Sequence, residues 1–222
     1  MTSSPGRMDG RAARWAGQRE RRRREFVAAA LRAIAQHGPE VSTEQIAEEA
    51  GVARTRVYKY FADGADLQIA IAARVGELIT AELAPVWTPR GTPMQMIEAG
   101  VEAHTRWLAD NENLYRYLTM HSLSGQDAIA DVKTTIATNL TGLFDHYLRL
   151  FGLDARLAEP IAFGVVGLVE SAAARWLANP SGLTRDELAA LLTRWVWRLL
   201  DDMMRAGGVE LDPHRPLPGA QV

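Results

Sequence analysis

Apolar residues recur along this chain at the spacing of helices rather than strands. Phe26, Val27, Ala30, Leu31 and Ile34 follow a 3.6-residue repeat, and His37-Gly38-Pro39 supplies its stop signals. Ser42-Thr43-Glu44-Gln45 then reads as a capping box, in which the serine oxygen caps the first turn and Gln45 reaches back. A short helix 43–50 follows, burying Ile46, Ala47 and Ala50, and Gly51 ends it in left-handed geometry. Val52 and Ala53 form a turn, and a third helix runs from about Arg54 to Phe61. Beyond Asp63-Gly64 the helical segments lengthen: 66–84, 93–111, 114–121, 127–151, 155–177 and 184–206, each bounded by Gly, Pro, Asn or a capping residue. No stretch alternates with period two long enough to predict a strand, and no repeat of solenoid length occurs. The pattern predicts an all-α chain of about nine helices. It has a flexible basic arm (1–18), a helical head (19–65), a helical body (66–206) and a poorly ordered, proline-bearing tail (207–222).

The segment STEQIAEEAGVARTRVYKYF has the spacing of a DNA-reading helix-turn-helix. Ile46, Ala47, Val52 and Val57 can close a small core between two helices at a large angle, with Ala47 and Gly51 small where the helices approach. The second helix then projects Arg54, Thr55 and Arg56 from its first turn, the end that enters a major groove. Arginine can bond bidentately to guanine O6 and N7, and threonine offers a hydroxyl and a methyl to base edges. Thr43, Tyr58, Lys59 and Tyr60 carry hydroxyls and an ammonium suited to phosphate oxygens. A helical hairpin with solvated charges is the alternative. Tyr58, Tyr60 and Phe61 within four residues weigh against it, because aromatic side chains are costly to expose without a binding use.

At these residues the chain resembles the TetR (tetracycline-repressor-like) family of bacterial transcriptional regulators. The resemblance rests on Gly38 ending the first helix, the stretch Thr43–Val52, the run Val57-Tyr58-Lys59-Tyr60-Phe61, and Asp66-Leu67 opening the next helix. It implies a homodimer with a three-helix DNA-binding head and a ligand-responsive body. Two positions depart from the family pattern: Ala53 stands where a serine or threonine usually caps the recognition helix, and Gly64 stands near the place of a phosphate-gripping lysine. The arm offers a replacement, since Arg14, Arg19, Arg21 and Arg22 lie before or early in the first helix. Arginines of that kind can add phosphate or minor-groove contacts.

Charge sharpens the division. The net charge of −2 is the sum of +4 over residues 1–65 and −6 over the remainder, a basic head on an acidic body. In the body, Leu188, Leu192, Trp195 and Leu199 line one face of the last helix, and the helix before it carries small residues including Gly167 and Ala174. Intrachain core accounts for some of them, while the resemblance implies that the last two helices form a dimer interface. His104, Trp107, Tyr117, His121, Asn139, Glu170 and Trp176 are polar or aromatic among apolar neighbours. Such a mixture suits a small-molecule site, and each also fits as an ordinary core or surface residue. Glu170, in an otherwise apolar run, is expected to pair with Arg175 or another arginine.

Other chemistries find no support. The histidines at 37, 104, 121, 146 and 214 form no close metal-ligand pair, and there is no nucleophile elbow or phosphate-binding glycine loop. There is no cysteine, and no uninterrupted apolar run approaches the roughly 20 residues of a membrane span. The expectation is a non-enzymatic, cytoplasmic regulator without cofactor or membrane. Its partners would be a double-stranded DNA operator, a second copy of itself and a small hydrophobic effector that releases it. An activator, a ligand-independent regulator, or a helical scaffold with an inactive head remain as alternatives.

Overall fold

The computed structural model describes residues 6–87, 90–121 and 128–217 of the chain. Among them run nine α-helices and no β-sheet: α1 (Gly6–His37), α2 (Thr43–Glu49), α3 (Arg54–Val57), α4 (Gly64–Glu82), α5 (Pro93–Asp110), α6 (Glu112–His121), α7 (Ala128–Leu150), α8 (Ala158–Ala178) and α9 (Arg185–Ala206). They form two compact units, one of residues 1–75 with 113–128, the other of residues 76–112 with 129–222.

In the first unit α1 packs on α2, and α2 on α3. Phe26, Ala30, Ile34, Ile46, Ala47, Val57, Phe61 and Ile71 are buried there, each large apolar side chain contributing about 1.5–3 kcal/mol of transfer free energy. Ser42 caps α2 reciprocally with Gln45, as the sequence predicts. Gly38 and Gly51 follow α1 and α2 at φ +89° and +67°, backbone that side-chain-bearing residues rarely adopt. Ala53 precedes α3 without a side-chain cap.

Two boundaries differ from expectation. The third helix closes at Val57 rather than Phe61, because the Lys59 and Tyr60 amides donate three residues back, to the Arg56 and Val57 carbonyls, and the chain turns Phe61 into the core. At the other end of the unit, helical backbone begins at Gly6, so most of the segment expected as a flexible arm belongs to α1. Its alanines, glutamine and arginines are good helix formers, and Gly10 and Gly17 do not interrupt it.

In the second unit α5 packs along α9 and against α8. Val101, Leu108, Leu148, Ala162, Ala173, Leu192 and Val196 are buried. Gly76 permits a close approach to α7, since a Cβ there would lie 2.9 Å from Val132 Cγ2. Trp176 Nε1 donates to the Leu183 carbonyl at 2.8 Å across the α8–α9 turn. The tail expected as poorly ordered is anchored over its described part: the Met94 amide donates to the Pro213 carbonyl, and Arg205 pairs with Glu210. Ala155–Ala178 has the length and a window mean hydropathy of 1.5 that would allow a membrane span, owing to its many alanines, valines and leucines. Glu159 and Glu170 interrupt it, which is why no uninterrupted run is visible in the sequence.

Candidate nucleic-acid interface

The head presents its polar face at α3 and the residues beside it. Arg54, Thr55, Arg56 and Lys59 are exposed, Tyr58 is 38% exposed, and Thr43 and Tyr60 are half-buried. Buried Val57 fixes α3 from behind, so the side chains at 54–56 face outward from its only turn. Arg54 is the most constrained of them. Its Nη1 meets Glu44 Oε1 at 2.5 Å, its Nη2 lies 3.4 Å from the Tyr58 hydroxyl, and its guanidinium stands 5.5 Å from the Tyr58 ring centroid. Arg54 first, then Thr43, hold the Tyr58 hydroxyl below its ordinary range, while burial and Glu44 oppose the shift. Three predicted contact residues, Thr43, Arg54 and Tyr58, are thus neighbours in space. Glu44, which pairs with Arg54, carries no mark in the sequence beyond Arg54 lying ten residues along on the next helix.

Behind this face lies a second constellation. Arg23 Nη2 and Nη1 reach Asp66 Oδ1 and Oδ2 at 2.7 and 3.0 Å, and Nη1 also donates to the Tyr60 carbonyl at 2.7 Å. Its guanidinium lies 4.3 Å from the Phe61 ring centroid, and Phe26 packs against Tyr60 at 5.4 Å. Asp66 in turn accepts from the Ala62 amide at 2.9 Å. The Arg23 hydrogen bond, then the Ala62 amide, hold the Asp66 carboxyl at about 2. This arginine is therefore a pin between α1 and the turn after α3. Arg14, Arg19, Arg21 and Arg22 are exposed on α1. Arg22 pairs with Glu25 at 2.7 Å and Arg21 approaches it at 3.8 Å. Arg22, Arg32 and Arg56 border one groove between α1 and the α2–α3 turn, so basic residues of the first helix adjoin those of the third.

The family pattern described as "Bacterial regulatory proteins, tetR family" matches residues 26–74, the span of this head. An HTH-type transcriptional regulator of Mycobacterium tuberculosis is 29% identical over 212 residues, 95% of this chain and 90% of the relative. The head is therefore a tetR-family DNA-binding domain. The chain is a transcriptional regulator with a DNA-binding helix-turn-helix. The HTH-type transcriptional activator FasR of Mycolicibacterium smegmatis is 24% identical over 81% of this chain and 83% of its own length. Among solved structures, a tetR-family regulator from Streptomyces coelicolor superposes with a TM-score of 0.66 at 20% identity, covering 84% and 83% of the two chains. The Bacillus subtilis regulator FadR in complex with stearoyl-CoA does so at 0.56 and 24% identity, covering 79% of this chain and 96% of that one.

The residues predicted for the body divide sharply. Glu170 is 7% exposed on α8, and its Oε2 meets Lys133 Nζ of α7 at 2.7 Å, a lysine of another helix rather than the arginine expected. His104 of α5 is half-buried as a residue, but its Nε2 is sealed from solvent and has no hydrogen-bond partner. Burial pushes that imidazole down to about 4, with Glu170 opposing the shift and Lys133 adding to it. Three helices of the second unit thus direct ionisable groups toward one another. Trp107 is buried, Trp176 donates to the Leu183 carbonyl, and Asn139 is exposed on α7. Tyr117, on α6 of the first unit, is buried and its phenol is pushed up to about 12. The side chain of His121 lies outside the described residues.

The residues predicted for dimerisation also separate. Leu188 and Leu192 are 4% and 0% exposed and belong to the core of their own chain. Trp195 and Leu199 are 43% and 45% exposed on the outer side of α9. Phe163 is exposed on α8, Ala174 is half-buried, and a Cβ at Gly164 or Gly167 would meet only open space.

Proposed function

We propose that this regulator is a homodimeric repressor that binds a palindromic operator and leaves it when an amphipathic small molecule enters the body. The observation that carries the ligand half is the orphaned Nε2 of His104 beside the Lys133–Glu170 pair. A buried polar atom without a partner costs about 1–3 kcal/mol, a cost that a bound polar group would relieve. The similarity to a regulator solved with stearoyl-CoA supports an effector with a long apolar body. For the dimer half, Phe163, Trp195 and Leu199 make an apolar face on α8 and α9 that a second copy would cover. The two recognition helices would then need a separation of about 34–36 Å, one turn of B-DNA. The ligand needs only to prefer a dimer state in which that separation is wrong.

A gel-shift of the full chain on the DNA upstream of its own gene, with and without long-chain acyl-CoA, tests the reading directly. Release by acyl-CoA supports it. A complex unmoved by acyl-CoA and by free fatty acids at saturating concentration overturns the ligand assignment. The relative named as an activator favours a second reading, activation of transcription. In vitro transcription from the bound promoter separates the two, since a repressor lowers the transcript and an activator raises it.

A further inference from the structure

An acidic side chain sits where a duplex must approach. Glu44, in the first turn of α2, has its Oε1 2.5 Å from Arg54 Nη1, and both side chains are more than half exposed. Exposed pairs of this kind add little to folding, so the fold does not require it. A carboxylate on a polyanion-binding face also weakens attraction to every duplex, whatever its sequence. A gain in selectivity reconciles the two. The guanidinium is further restrained on its other side, where Nη2 approaches the Tyr58 hydroxyl and the Tyr58 ring lies 5.5 Å away.

We propose that Glu44 is a specificity-determining positioning residue that holds Arg54 between α2 and Tyr58, aimed for a guanine edge and away from phosphates. Guanine O6 and N7 require a planar fork at a fixed angle, whereas a phosphate can be met from many directions. Restraining the fork therefore favours guanine, and the carboxylate repels any phosphate that would occupy the same space. Arg54 binds the base; Glu44 acts through it. The inference rests on Arg54 being a base contact of the recognition helix.

The test uses four full-length proteins: wild type, Glu44→Gln, Arg54→Ala and the double variant. Each selects duplexes from a random library, and each is then titrated on the wild-type-selected duplex and on a scrambled one at three salt concentrations. Glu44→Gln is expected to weaken the preference for one guanine by about tenfold. Its binding to scrambled duplex should strengthen, with a log–log salt slope steeper by up to about 0.9. A merely structural role would move melting temperature without steepening that slope. In the Arg54→Ala background Glu44→Gln should leave base preference unchanged, because the residue it acts through is gone. A wild type that selects no sequence overturns the DNA-reading assignment itself. A wild type that selects a sequence whose guanine preference survives Glu44→Gln, or disappears equally with and without Arg54, overturns the role of Glu44 alone.

Discussion

Replacing Asp66 by Asn tests whether the pin behind the recognition helix stabilises the head through its charge. The substitution keeps an acceptor for the Ala62 amide but removes the anion that receives both guanidinium nitrogens of Arg23. A carboxyl held from its ordinary 3.8 down to about 2 corresponds to about 2.4 kcal/mol at face value, at 1.36 kcal/mol per pKa unit. The two side chains stay 23% and 31% exposed, so solvent screening leaves about 1 kcal/mol. A carboxyl whose folded value is depressed contributes its stability fully above the unfolded value and loses it as pH falls toward the folded one. The gap between wild type and Asp66→Asn should therefore be about 1 kcal/mol at neutral pH, hold to about pH 5, and close between about pH 4 and 2. Urea unfolding followed by circular dichroism across that range measures it. An equal gap at both ends of the range, or none at neutral pH, would refute the electrostatic account.

Five further perturbations have definite expected outcomes. Arg56→Ala should weaken operator binding by about 1–3 kcal/mol and relax preference locally, while Tyr58→Phe should weaken every duplex through a lost phosphate contact and also loosen the restraint on Arg54; fluorescence anisotropy that moves for neither would show α3 misread. Trp195→Glu should shift the protein from dimer to monomer in sedimentation velocity with little change in secondary structure, and a persisting dimer would place the interface elsewhere. Because burial lowers the His104 imidazole, wild type should lose about 3 kcal/mol relative to His104→Gln as pH falls from about 6.5 to 4, with no change above neutrality; parallel stability curves would contradict the buried imidazole. Deleting residues 2–18 should leave folding intact and lower the salt slope of operator binding by about 0.9 for each phosphate that the segment neutralises, whereas an idle segment would leave affinity and slope unchanged at every ionic strength.

Local signals carried the head. The Ser42–Gln45 capping box and the glycines at 38 and 51 are short-range devices, legible because both partners lie within a few residues of each other. The end of α3 was not legible in the same way. Nothing between Arg54 and Phe61 forbids a continuing helix; the turn is held by Arg23, whose bonds to the Tyr60 carbonyl and Asp66 span 37 and 43 positions. Grouping Arg19, Arg21 and Arg22 as DNA contacts left this hidden, because composition gives the four adjacent arginines at 21–24 one role while the helix turns them to different sides. Arg23 faces Phe61 and Asp66, and its neighbours Arg21, Arg22 and Arg24 face solvent.

The body shows where periodicity stops short. A 3.6-residue pattern identifies that α9 has a broad apolar surface, but not which part of it meets its own chain. Leu188, Leu192 and Val196 recur every fourth position and are buried against the unit's other helices, whereas Trp195 and Leu199, one position before and three after Val196, stay open. The two stripes lie side by side on one helix, so only packing tells them apart. Glu170 is the converse case. Its isolation in an apolar run marked it correctly as unusual, because a buried carboxylate needs a partner. Its partner Lys133 lies on a different helix, in a stretch of threonines and alanines that no spacing connects to α8. An anomaly in one helix reveals that a polar contact must exist, and the three-dimensional arrangement alone names the residue that makes it.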